Sequence, residues 1–266
     1  MAEVQPFDLV LDAERVGRWL TARDDRITPP PAAGAEVPLP FLVFLRMQPI
    51  LGLSIHEWLG RDAERGLYGG VSYAARRLPR VGETLAATSG VTERKRVSSP
   101  AGELTVTTLR TEYRGADGEV ATETVRMIDL PASGKRPAAP EAADAPTADP
   151  LLAQWPGISR RQVAWMTVET GDLNPLHVDL TVASRRGFAD VVVPAPLLTA
   201  QIERELARLF GAHPLRLDVR YQAPTLPGAA LALHGRREGA KVGFTLSGQG
   251  LTRATGRAAL TDEAGT

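Results

Sequence analysis

Residues 171–177 read Gly-Asp-Leu-Asn-Pro-Leu-His, and Asp179 follows two positions later. The segment sets a carboxylate, Asp172, and an imidazole, His177, five residues apart around an Asn174-Pro175 step. Side chains share a helix face at spacings of about three and four, so a spacing of five brings them together only across a non-helical connection. Pro175 fixes its own φ and biases Asn174 toward extended backbone, which predicts a tight loop over 171–176 that presents both side chains to one place. An imidazole titrates nearest neutral pH, and a carboxylate beside it is a partner base. Such a pair can hold and polarise one water, which is general acid–base chemistry. Asn174 is expected to fix the loop through its side chain. Asp179 is a candidate either to orient His177 or to serve as a surface residue beside the turn.

Other chemistries find less support. The chain of 266 residues has no cysteine, which excludes disulfides, thiolate nucleophiles and cysteine-bound metals. His56, His213 and His234 lie far from one another, and no histidine pair has ligand spacing with a carboxylate, so no metal and no cofactor are expected. No G-x-S-x-G elbow is present. Lysine plus arginine equals aspartate plus glutamate at 31 each, so net charge gives no argument for nucleic acid or an anionic membrane. Three basic pairs, Arg76-Arg77, Arg160-Arg161 and Arg185-Arg186, could meet phosphates, although any one pair is ordinarily a solvated face. The first residues carry no basic segment followed by an apolar run, and the apolar stretch at 40–45 is too short to span a bilayer, so a cytoplasmic protein is expected.

The elements that must position the motif fall into two halves. Residues 131–150, PASGKRPAAPEAADAPTADP, have the composition of an extended linker. They separate a first unit, 1–130, from a second, 151–266. The halves echo each other: Val71-Ser72-Tyr73-Ala74-Ala75-Arg76-Arg77-Leu78-Pro79 aligns with Val219-Arg220-Tyr221-Gln222-Ala223-Pro224-Thr225-Leu226-Pro227, and Val37–Leu42 resembles Val193–Leu198. Each half predicts one apolar helix, 41–60 or 197–210, followed by strands at 67–77, 83–97, 103–115 and 119–129, or at 215–223, 229–237, 241–249 and 252–261. One helix followed by an antiparallel meander predicts an α+β fold in which a sheet wraps the helix.

The Gly171–Asp179 segment resembles the signature of the MaoC-like family of (R)-specific enoyl-CoA hydratases and 3-hydroxyacyl-thioester dehydratases. Supporting likeness comes from Val191–Leu198, Arg220–Pro224, Leu67–Tyr73 and Leu78–Glu83. The resemblance implies a double hotdog, two antiparallel sheets each wrapping a central helix in one chain. It also implies Asp172 and His177 as the catalytic pair, and an acyl-CoA or acyl carrier protein thioester as substrate. It gives no nucleic-acid or membrane partner and allows a homodimer of double hotdogs. The first half lacks the signature, reading Arg23-Asp24-Asp25-Arg26-Ile27-Thr28-Pro29-Pro30 where it would stand. That half is therefore expected to be non-catalytic and to form one wall of the cavity. The family often has His-Gly where this chain has Pro194-Ala195. By resemblance the backbone N–H of Ala195 is the oxyanion donor, with Asn174 beside the substrate, since Pro196 has no N–H to give.

Four readings of function stand at this point. They are a hydratase or dehydratase of enoyl and 3-hydroxyacyl thioesters, and a mesaconyl-CoA-type hydratase of short branched dicarboxylic thioesters. The others are a hotdog thioesterase using Glu203 or Glu205 on the central helix, and a non-catalytic acyl-thioester-binding partner subunit. A loop at a cavity mouth carries few packed contacts, so Asp172 and His177 are expected to be dispensable for stability.

Overall fold

The computed structural model describes residues 5–43, 59–60, 65–99, 102–129, 149–172 and 174–261. The first half contributes strands β1 (Gln5–Val10), β2 (Gly66–Ala75), β3 (Thr84–Ser99), β4 (Gly102–Gly115) and β5 (Gly118–Asp129). The second contributes β6 (Leu151–Trp155), β7 (Arg216–Tyr221), β8 (Leu231–Glu238), β9 (Lys241–Gly248) and β10 (Leu251–Ala259). Helices α1 (Ala13–Asp24), α2 (Arg160–Thr170), α3 (Leu180–Arg185) and α4 (Ala195–Phe210) accompany a 3₁₀ turn at Pro175–His177. No helix among the described residues is long and apolar enough to cross a membrane.

The ten strands among the described residues belong to one antiparallel sheet in the order β1-β3-β4-β5-β2-β7-β10-β9-β8-β6. From the centre outward, β2-β5-β4-β3-β1 on one side repeats β7-β10-β9-β8-β6 on the other, so the two halves carry the same strand plan. They meet where β2 pairs with β7, from Gly70↔Arg220 to Ala74↔Arg216, and Val71 faces Val219 at the centre. This corrects the expectation of two separate sheets. The echoing segments around Tyr73 and Tyr221 present edge strands that pair with each other, and unpaired backbone at such an edge is costly to leave open. Within β2 the buried residues Val71, Tyr73 and Ala75 alternate with Ser72 and Ala74, so one face of the sheet packs on the helices and the other faces solvent.

The helix expected over 197–210 forms as α4, two residues longer at its start. Of the helix expected over 41–60, residues 41–43 are helical and 44–58 lie outside the described residues, as do 131–148 of the linker. Five elements had no counterpart in the sequence reading: β1, α1, β6, α2 and α3. Helix α1 is capped by Asp12, whose side chain accepts from the Arg15 N–H, and ends at Asp25 in the left-handed conformation. It buries Val16, Trp19 and Ala22, with Trp19 edge-on to Phe41 at 5.5 Å. Its C-terminal carbonyl at Arg23 accepts from Gln162 on α2 at 2.6 Å and from Gln201 on α4. The first half is thereby bonded to the two helices that flank the candidate site.

Helix α2 starts with a capping box in which Ser159 and Gln162 satisfy each other's backbone N–H groups. Ser159 also bonds Asp25 at 3.1 Å. Ser159→Ala is expected to cost about 1 kcal/mol, read as a lower thermal midpoint with the strand signal in circular dichroism unchanged.

Candidate active site

Helix α2 stops at Gly171, which takes φ 63, a left-handed conformation suited to glycine. The chain then turns into the motif. Asp172 Oδ1 accepts from the Asn174 N–H at 3.0 Å, and Asn174 Oδ1 accepts from the Leu176 N–H at 3.0 Å. Two short polar side chains thus replace the backbone bonds a helix would have made. Asn174 is extended at φ −68, ψ 111, as the following proline requires. Its amide also donates to Gly66 O at 3.3 Å, tying the loop to β2 of the first half.

The loop brings His177 Nε2 to 3.4 Å from Asp172 Oδ2. On its other side His177 Nδ1 lies 2.7 Å from Val192 O. A carbonyl only accepts, so Nδ1 must carry a hydrogen, and Nε2 is left to exchange a proton at the Asp172 side. The return bond from the Val192 N–H to Leu176 O at 2.8 Å locks the ring's support, and the Val193 N–H is held by Thr225 O at 2.9 Å. Asp172 is 4% exposed and the His177 side chain 10%. This burial corrects the expectation that the motif makes few packed contacts: the loop is an internal hydrogen-bonded unit, and changes there carry a stability cost as well.

Burial works to depress the His177 pKa, but the charge of Asp172, its hydrogen bond and the Val192 carbonyl outweigh it, and the net shift is upward from 6.5. A raised folded-state pKa contributes stability that is fully present below the unfolded value and is lost as pH rises through the folded one. The His177 ring resonances are expected to titrate above 6.5 in the wild-type protein. They should titrate lower in Asp172→Asn, where burial loses its main opponent, and an unchanged midpoint would contradict the coupling.

His177 and Asn174 line a cavity of about 160 Å³. Its other walls come from Gly66, Leu67, Tyr68 and Ile128 of the first half, and from the chain around Val192–Leu198 and Tyr221–Thr225 of the second. Asp172, at 3.4 Å from His177 Nε2, is not itself among the residues that line the cavity. Ala195 opens α4 with no side-chain cap, and Pro196 in the same turn has no N–H. Ala195 lines the cavity, so the positive N-terminal end of α4 lies at its wall. A wider groove of about 740 Å³ crosses the solvent face of the sheet, between Arg216, Asp218 and Arg257, and contains neither motif residue.

The other sequence candidates are placed elsewhere. Asp179 does not orient His177; its Oδ1 caps α3 by accepting from the Thr181 and Val182 N–H groups. The orienting group is the Val192 carbonyl, which a side-chain motif cannot reveal. Glu203 is 1% exposed, bonded to His213 and 4.0 Å from Arg23, and Glu205 pairs with Arg204 and Arg208. Neither lines the cavity. Arg76, Arg77, Arg160 and Arg161 are matched with Glu119, Glu83, Asp190 and Asp25 respectively. His234 Nδ1 lies 3.3 Å from Asp149 O, and His56 lies outside the described residues. Tyr221 is a residue the sequence reading missed as part of the site, although it stands in the repeated segment that marks where the halves join.

Residues 141–257 match a domain family described as MaoC like domain. No curated protein matches the chain in sequence. Among solved structures, a MaoC-like dehydratase superposes with a TM-score of 0.78 at 16% identity, covering 98% of each chain. HtdX from Mycobacterium tuberculosis gives 0.74 at 18%, covering 96% of this chain and 98% of that one. A conserved hypothetical protein from the same organism, described as having a double hotdog fold, gives 0.64 at 14%, covering 97% and 96%. At these identities the likeness is one of fold. The second half thus carries a MaoC like domain match, and the chain shares the fold of MaoC-like dehydratases over nearly its whole length.

Proposed function

We propose that the protein hydrates a trans-2-enoyl thioester to a 3-hydroxyacyl thioester, and reverses that reaction, in the cavity beside His177. The observation that carries the reading is the buried Asp172–His177 pair, 3.4 Å apart and fixed by backbone on both sides. The pair holds one water. As the water oxygen bonds to Cβ, one of its protons passes to the pair, and the pair returns one proton to Cα. Between those events the electrons of the double bond rest on the thioester oxygen as an enolate. The Ala195 N–H and the end of α4 are the preorganised donors for that charge. The carrier is coenzyme A or acyl carrier protein.

In the same reading, residues 1–130 form a non-catalytic unit, 131–150 a linker and 151–266 the catalytic unit. Gly66, Leu67, Tyr68 and Ile128 are the contribution of the first unit to the substrate wall. The thioesterase alternative needs a carboxylate at the substrate, and Glu203 and Glu205 are instead engaged by His213 and by arginines away from the cavity. Incubation with crotonyl-CoA tests the reading. Loss of enoyl absorbance with no free thiol is expected. Release of thiol with the double bond intact would favour the thioesterase, and no change in either would favour a binding subunit.

A further inference from the structure

The size of the cavity, about 160 Å³, and the way its walls are held point to the acyl group it accepts. A cavity of about 150 Å³ holds one benzene ring, roughly six carbons. A larger guest would need a wall to move, and four of the described lining residues, Tyr221, Leu198, Val193 and Ile128, are closely held. Tyr221 donates to Ala195 O at 3.0 Å, and Thr199 donates to the same carbonyl at 3.1 Å. The two hydroxyls also touch each other. The phenol of Tyr221 is thus braced against the first turn of α4 and cannot swing aside without breaking that set. Leu198 is 3% exposed in the core, and Val193 is pinned through its N–H to Thr225. On the opposite wall Ile128 lies over Gly69 so closely that a Cβ there would come within 2.9 Å of its Cδ1.

We infer that this site selects short acyl thioesters, with acyl groups of about four to six carbons, and that Tyr221 and Ile128 set that limit. The inference rests on the reading of the cavity as an acyl-thioester site. It goes further in naming the chain-length class and the residues that set it. Interdigitated interiors resist expansion, so the limit follows from packing and needs no moving part.

The test is calorimetric titration of the full-length protein with saturated acyl-CoA thioesters from acetyl to dodecanoyl, which have no double bond to hydrate. Affinity is expected to rise roughly fourfold per added methylene up to the size limit, to peak between butyryl and hexanoyl, and to be at least about tenfold weaker for dodecanoyl. Ile128→Ala removes three carbons from the wall and is expected to move the peak toward octanoyl. Affinity that keeps climbing through dodecanoyl, or that ignores chain length, would overturn the inference, as would an Ile128→Ala profile identical to that of the wild type. The two readings fail separately. A peak at butyryl to hexanoyl with no hydration of crotonyl-CoA would sink the hydratase and leave the size limit standing. Faster hydration of trans-2-dodecenoyl-CoA than of crotonyl-CoA would sink the size limit and leave the hydratase.

Discussion

Replacing His177 with alanine, or Asp172 with asparagine, is expected to lower kcat for enoyl-thioester hydration by roughly 10²–10⁴-fold. Nε2 of His177 is the atom that exchanges protons at the cavity, since Nδ1 is committed to the Val192 carbonyl at 2.7 Å. Asp172 supplies the charge that raises the affinity of that ring for a proton against the effect of burial. The two groups work on the same protons, so the double variant should be little worse than either single one, as for other catalytic groups that act as a unit. Asp172 Oδ1 also accepts from the Asn174 backbone N–H. Asp172→Asn keeps a carbonyl oxygen for that role and is the cleaner substitution, whereas alanine would also open the turn. Steady-state rates beside thermal midpoints separate chemistry from folding. Full activity in His177→Ala would exclude the mechanism, and activity lost only in step with unfolding would make the motif structural.

The second large effect concerns the helix end. Ala195→Pro is expected to lower kcat by about 10²–10³-fold, the range seen when one oxyanion donor is removed. Proline is favoured at the first helical position, where the missing N–H has no intrahelical partner. Pro194 already has ψ 130, which accommodates a following proline. The fold should therefore tolerate the change while the cavity loses its amide. Ala195→Gly keeps the N–H and is expected to stay near wild-type kcat, which controls for the altered wall. Equal rates for the proline and glycine variants would remove the α4 amide from the mechanism.

What the sequence made legible was local. The Asp-x-Asn-Pro-x-His loop could be read because its geometry comes from its own residues: a proline that fixes φ, and side chains that bond the backbone two positions on. The eight strands expected at 67–129 and 215–261 were legible through alternation and Gly-rich turns, and each lies within a few residues of its expected place. The missed elements depend on partners distant in sequence. Helix α1 presents a narrow stripe of Val16, Trp19 and Ala22, which counts as a core face only once α2 and Phe41 are beside it. The single sheet depends on β2 meeting β7 across a separation of 146 residues, as in the Ser72–Asp218 bond. The role of Val192 was invisible because it acts through a carbonyl, and Asp179, left open between two roles, is an exposed residue beside the turn that caps helix α3.

The central claim, that water adds to carbon and does not cleave the thioester, is tested most directly by the fate of the water oxygen. Crotonyl-CoA would be turned over in water enriched in heavy oxygen and the products separated by mass spectrometry. The account predicts intact 3-hydroxybutyryl-CoA bearing one heavy oxygen on the β-carbon hydroxyl, with no such product from His177→Ala. Heavy oxygen in a free carboxylic acid, with coenzyme A released and the double bond retained, would contradict it.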